Sequence, residues 1–339
     1  MKEELITHDG GFEHYYFVEP GSDYGRIMWR DIGLLDKATL LPTPIHSENR
    51  LLQFLHHAHF SFAVNGKVSL PFQGIWKNQY ALSHVEFKED KKYCVIYTDI
   101  SACRTDVRYL ASLHARPNIV MIMVMANVVA SKEKLLKARF KCFDRIFSWD
   151  RGDVARYGML YYAPCYSRID MPKEEGEGSD CFFIGSAKGR LGILQRLHKM
   201  VGEAGGKAEF YITGVKKAEQ TEPDIHYNRR LPYKTVLARD MASNCIIEVI
   251  AGNQVGQTLR AEEAIIGNKK LLTNSQEMKD NPYYKTGFIR VFSEPTPEDI
   301  AFIMTKTDVD YHYADDYSPI KLIDRINETE EAAMAEKAQ

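Results

Sequence analysis

From Tyr93 onward the chain alternates short apolar runs with amphipathic stretches. Residues 93–97 (YCVIY) predict a strand, and 106–114 a helix with Val107, Leu110 and Leu113 on one side. Residues 119–125 (IVMIMVM) form a continuous apolar run, as expected of a strand buried on both faces of a parallel sheet. A helix over 132–138 and a strand over 145–148 follow. Strand and helix alternating at this spacing imply βαβ units. Residues 170–180 (DMPKEEGEGSD) are polar, acidic and glycine-bearing and break the alternation, which predicts a linker between two domains.

The alternation resumes beyond it. Residues 181–184 (CFFI) predict a strand, 185–190 (GSAKGR) a glycine turn, and 191–202 a helix. Strands are expected at 209–213 (EFYIT), 245–250 (CIIEVI) and 288–292, with helices at 233–242 and 296–305. Between them, 252–274 (GNQVGQTLRAEEAIIGNKKLLTN) reads as loop, helix, turn and strand. Thr258 can cap the helix, and Gly267-Asn268 stops it. Residues 311–339 end in an Ala/Glu/Lys tail.

The first seventy residues are less patterned. Gly10-Gly11 follows a loop, Phe17-Val18 suggests a strand, and 20–23 a turn. Residues 50–59 read as a helix capped from Ser47, with Leu51, Leu52, Phe54 and Leu55 inward. His56, His57 and His59 then mark a solvated helix end rather than a metal site.

Composition narrows the class. A 339-residue chain with 45% apolar and 27% charged residues describes a soluble globular protein of two domains. A formal charge of -2 gives no pull toward nucleic acid. Six cysteines without a CxxC pair argue for reduced thiols in the cytosol and against zinc. No stretch reads as a signal peptide or a bilayer span.

Two segments suggest phosphate chemistry. A glycine-bearing loop feeding a helix points backbone N–H groups at an anion. In 185–190 the candidates are Gly185, Lys188 and Arg190. In the later segment Gln254, Gln257, Thr258 and Arg260 add donors, and Glu263 could accept from ribose hydroxyls. Neither is a GxGxxG or a P-loop, so dinucleotide and ATP binding are not supported. On spacing alone, a tight βα turn and an amphipathic helix with a solvated charged face are the better descriptions of the two segments.

The run Gln254, Gly256, Thr258, Arg260, Glu263, Ala264, then Gly267, Lys269, Lys270, Leu271, Thr273 and Asn274, resembles the C-terminal signature of GT-B-type glycosyltransferases of bacterial capsule and lipopolysaccharide biosynthesis. Glu248 departs from it, an aspartate being more usual there. Residues 185–190 and the stretch around Trp149-Asp150 are similar to further parts of the same family. The resemblance implies an α/β protein of two Rossmann-like domains facing a cleft (GT-B-like). Residues 1–170 would bind the acceptor and 180–310 the nucleotide-sugar donor, while 311–339 could cross back to the first domain. It implies transfer of a sugar to a hydroxyl of a surface polysaccharide or lipid-linked saccharide. No metal or other cofactor is expected, because in this family helix N-termini and Arg/Lys rather than a metal ion would meet the donor diphosphate. The expected place is the cytoplasm. A lipid-linked acceptor would bring the protein to the inner face of the membrane, although no stretch reads as a basic amphipathic helix.

An inverting enzyme needs a base beside the acceptor hydroxyl. Asp9 and His14, flanking Gly10-Gly11, are the leading candidates, followed by His46, Asp99 and Asp150. A retaining mechanism would need no such base, and the sequence leaves both open. A non-catalytic sugar-binding protein of this fold and another group transferase, such as a pyruvyl transferase, are the alternatives.

Overall fold

The computed structural model describes residues 6, 11–19, 21–41, 44–45, 47, 49–67, 70–169, 178–250 and 258–338. Asp9, His46, Gln254, Gln257 and most of the 170–180 stretch lie outside the described residues. The chain forms two compact units, Met1–Ser167 with Ser318–Gln339, and Arg168–Tyr317.

The first unit holds six parallel strands in the order β2-β1-β3-β4-β5-β6. They are β1 (His14–Val18), β2 (Ala38–Leu41), β3 (Tyr93–Thr98), β4 (Ile119–Met125), β5 (Arg145–Ser148) and β6 (Leu160–Tyr161). Every residue of β3 is buried, as is all of β4 except Val120. Both strands are therefore covered by helices on two faces, which is what their unbroken apolar runs require. The order reverses between β1 and β3. The last helix, Pro319–Ala338, belongs to this unit. Asn327 accepts from the Tyr15 hydroxyl at 2.6 Å, and Glu330 meets Lys92 and Arg145, each at 2.6 Å.

One expectation here holds only in part. The helix Arg50–His59 starts at Asn49, whose side chain accepts from Leu51 N and Leu52 N. Leu52 packs on the core as expected, but Leu51, Phe54 and Leu55 point to solvent, and His56 is buried. His56 sits in an aromatic nest, its ring 4.8 Å from Phe60 and 5.0 Å from Trp76. Periodicity identifies the apolar face of a helix, but not whether anything covers it.

The second unit also holds six parallel strands: β7 (Cys181–Ser186), β8 (Ala208–Thr213), β9 (His226–Tyr227), β10 (Cys245–Glu248), β11 (Lys270–Thr273) and β12 (Ile289–Val291). Their order is β12-β11-β10-β7-β8-β9. Read from the other edge this is the 3-2-1-4-5-6 order of the Rossmann fold, with the reversal between β7 and β10. The protein is thus α/β with two doubly wound units, as the resemblance implies. The helix starts read from the sequence hold at Thr258 and Thr296, the latter in a capping box with Asp299.

Candidate functional site

In open α/β sheets ligands bind outside the carboxyl ends of the strands, where the order reverses. In the second unit that point lies between β7 and β10. The turn after β7 and the helix after β10 are the two segments that the sequence marks for phosphate.

The β7 turn is built on left-handed backbone. Lys188 has φ 34° and Gly189 φ 79°. The chain reverses there and enters the helix Leu191–Glu203 at Arg190, with no side chain capping its first N–H groups. Lys188 is exposed. Arg190 is held in place: its Nε donates to the Ser186 carbonyl at 2.9 Å, and its guanidinium lies 5.4 Å from the Phe183 ring centre. Gly185 lies beneath it. A Cβ there would stand 2.8 Å from the Arg190 guanidinium and 3.1 Å from the Phe183 ring. Glycine at this position therefore makes room for Arg190.

At the end of β10, Glu248 accepts from the hydroxyls of Thr258 and Thr273. Thr258 also caps the helix Leu259–Ile266, accepting from Arg260 N at 3.2 Å. Burial raises the Glu248 pKa, while the two threonine hydroxyls and the nearby Arg190 act the other way. Arg190 feels the same pair: burial lowers its pKa and Glu248 raises it. The two marked segments thus meet electrostatically at the reversal point. Asn274 fixes the strand end, accepting from Ile250 N at 2.7 Å.

The charged face of the helix Leu259–Ile266 is buried rather than solvated. Arg260 Nη1 donates to Asp240 and, at 2.7 Å, to Glu263. The other Glu263 oxygen accepts from the Tyr233 hydroxyl. Both carboxylates are fully buried, while the Arg260 side chain retains 20% exposure. Burial raises the Asp240 pKa to about 8; Arg260 lowers it and Glu263 raises it. Two buried acids facing one guanidinium nitrogen hold a proton between them most readily. Asp240 and Tyr233 escaped the sequence reading because their partners are 20 and 30 positions away.

The first unit places its candidates differently. His14 is the first residue of β1, at the amino edge of the sheet, and its Nε2 lies 2.8 Å from the Thr39 hydroxyl. Asp99 is fully buried and spends its oxygens on Ala126 N, Asn127 Nδ2 and Lys132 Nζ at 2.9, 3.1 and 3.4 Å. Asp150 caps the helix Arg151–Tyr157, accepting from Asp153 N at 2.7 Å. At the carboxyl end of β1 stands Glu19, 3% exposed, its pKa raised by burial to about 7 against the pull of Arg26. Its Oε2 has no hydrogen-bond partner among the described residues. A cavity of about 120 Å³ in the same unit is lined by Gly21, Gln53, His56, His57 and Arg104. Neither Glu19 nor the cavity had a sequence signal, since Glu19 stands alone before a turn. A second cavity, about 500 Å³, is lined by Phe143, Arg145, Met159 and Thr329 and lies at the amino side of β5 and β6, away from the carboxyl edge.

Among the described residues no group of three or more His, Cys, Asp or Glu could hold a metal ion. All six cysteines are buried free thiols. No helix of the described residues is long and apolar enough to cross a membrane.

No protein-family model and no curated protein matches the chain. Among solved structures it is similar to a UDP-GlcNAc 2-epimerase from Methanocaldococcus jannaschii in complex with UDP-GlcNAc and UDP. The identity is 11% and the TM-score 0.47, over 91% of this chain and 99% of that one. The glycotransferase of kitacinnamycin is similar at 11% identity and a TM-score of 0.43, over 95% and 99% of the two chains. A UDP-N-acetylglucosamine 2-epimerase from Rickettsia bellii is similar at 13% identity and 0.45, over 93% and 92%.

Proposed function

We propose that the chain is a glycosyltransferase that binds a nucleotide sugar at the carboxyl edge of its second unit and transfers the sugar to a saccharide hydroxyl. The observation that carries this reading is the Rossmann strand order, which brings Arg190, an uncapped helix start and the Thr258 cap to one reversal point. In this reading the diphosphate lies against the Gly185–Arg190 turn, with Lys188 and Arg190 supplying charge, so the site works without a metal ion. Gln254 and Gln257 add donors from the neighbouring loop. Arg260 and Glu263 act as a fixed pair beside the ribose. The network around Asp240 orients them, with the buried Glu263 holding Arg260 through their ion pair at 2.7 Å.

Acceptor chemistry falls to the first unit. Glu19, buried at the end of β1 with a pKa near neutrality, fits the base of an inverting reaction better than His14, which lies at the opposite edge of the sheet. The acceptor class, a surface polysaccharide or a lipid-linked saccharide, comes from the family resemblance.

Calorimetry with UDP, GDP, CMP and phosphoenolpyruvate tests the donor reading. Binding of one nucleoside diphosphate, with release of that diphosphate from its sugar only when an acceptor is added, is expected. A sugar isomerised without acceptor would replace transfer by epimerisation, and binding of phosphoenolpyruvate alone would replace it by pyruvyl transfer.

A further inference from the structure

The first unit exposes an apolar surface. Six of the eight large apolar side chains exposed among the described residues fall between Leu51 and Ile75: Leu51, Phe54, Leu55, Val64, Phe72 and Ile75. Phe54 is 66% exposed, Ile75 68% and Phe72 80%. Single exposed apolar residues are ordinary, whereas a cluster marks a surface that something covers.

Side-chain hydrogen bonds tie these segments together. His59 ties the helix Arg50–His59 to the following segment, its Nε2 lying 2.8 Å from the Pro71 carbonyl and its Nδ1 accepting from Trp76 Nε1 at 2.9 Å. Buried Asn65 donates to the carbonyls of His59 and Ser61 and accepts from Leu70 N and Gln73 Nε2. Phe72 has φ 62°, a left-handed conformation that side chains with a Cβ seldom adopt. These contacts join Leu51 and Leu55, one turn apart on the helix, to the tip at Phe72 and Ile75. The fold thus presents the apolar side chains outward.

The charge of this region is one-sided. From Asn49 to Val85 the sequence has no aspartate or glutamate, in a chain with 46 of them. Arg50, Lys67 and Lys77 are exposed in that stretch, and Lys134 joins them by donating to the Lys67 carbonyl at 2.8 Å. Glu133 beside Lys134 is engaged by Lys137 at 2.7 Å and by the Tyr157 hydroxyl at 3.0 Å.

We propose that this face docks the first unit on an anionic lipid surface. Phe54, Phe72 and Ile75 enter the acyl boundary, and Arg50, Lys67, Lys77 and Lys134 meet the headgroups. A second copy of the chain suits the face less well. An isologous contact would set the same basic residues, Arg50, Lys67 and Lys77, against themselves. The inference is independent of the proposed reaction, because its test reads membrane binding alone.

The test is flotation of the full chain with vesicles of phosphatidylcholine alone and of phosphatidylcholine mixed with phosphatidylglycerol. Wild type should float with the mixed vesicles, less with the neutral ones, and less again at high salt. The double variant Phe54→Ser/Phe72→Ser should lose about tenfold or more in partition, because each ring withdraws much of its apolar surface from water at the interface. Lys67→Glu/Lys77→Glu should lose the preference for anionic vesicles. Tyr161→Ser, an exposed aromatic elsewhere, should float as wild type does. All variants change solvent-facing side chains, and their thermal unfolding checks that they fold. Wild type remaining at the bottom of both gradients would overturn the proposal. So would a serine double variant that floats normally, or a concentration-dependent dimer that the same double variant abolishes.

Discussion

Glu248 accepts the hydroxyl of Thr258, joining the end of β10 to the first turn of the helix that follows. Thr258 does two jobs with one oxygen: it donates to Glu248 and accepts from Arg260 N. Thr258→Ser should preserve both bonds. Thr258→Val removes both and leaves Glu248 with one hydroxyl partner, and a lost N-cap alone costs about 1 kcal/mol. Urea unfolding should therefore rank wild type and Thr258→Ser together, with Thr258→Val at least that much less stable. Equal midpoints for all three would mean that the contact contributes nothing.

Gly185 provides a second test. A side chain here meets the Arg190 guanidinium and the Phe183 ring before anything else. Gly185→Val should displace Arg190 while the sheet remains, and nucleoside diphosphate affinity should fall about tenfold, the scale of one charge-assisted hydrogen bond. An unchanged affinity would show that Arg190 is not part of the anion site.

The buried acids make stability depend on pH. Burial raises the folded pKa of Asp240 from the ordinary carboxylate value of 3.8 to about 8. The folded state therefore holds this proton more tightly than the unfolded chain does. Its contribution is fully present below about pH 4 and is lost as pH rises toward 8. Glu19, raised from 4.5 to about 7, acts with the same sign. Asp240→Asn should flatten the fall in unfolding free energy between pH 5 and 8, relative to wild type, measured by urea titration. A variant with the wild-type slope would place the proton elsewhere.

Much of the fold is legible in the sequence where burial is two-sided. The apolar runs at 119–125 and 181–184 needed no context, because a central parallel strand buries most of its side chains on both faces. β2 and the two-residue strands β6 and β9 gave no run to read, since edge and short strands leave their residues half covered. β1 was only partly read, at Phe17-Val18, although it lies between β2 and β3; its burial alternates. At the site, Thr258 and the 185–190 turn were legible because caps and glycine turns are local chemistry. The Asp240–Arg260–Glu263 cluster was not, because it depends on a neighbouring helix. In the helix Arg50–His59 the apolar positions are legible but their cover is not: Leu52 packs on the core, while Leu51, Phe54 and Leu55 face solvent.

The acceptor side gives a paired prediction. His14→Ala should lose the contact with Thr39 and the ring contact with Tyr16, about 1 kcal/mol of stability, with donor binding and turnover unchanged. Glu19→Gln should leave donor affinity intact, lower turnover, and abolish the limb of the pH–rate profile near pH 7. A turnover loss in His14→Ala, with Glu19→Gln unaffected, would return the base to the amino edge of the sheet.

The central claim is that the turn after β7 binds the diphosphate of a nucleotide. The most direct measurement is calorimetric affinity for a nucleoside, its monophosphate and its diphosphate, in wild type and in Arg190→Ala. Wild type should bind tighter with each phosphate. Arg190→Ala should lose about tenfold to a hundredfold for the diphosphate and little for the nucleoside, as expected for one hydrogen bond to a charged group. Equal affinity for all three ligands, or an Arg190→Ala variant that binds the diphosphate as wild type does, would contradict the account.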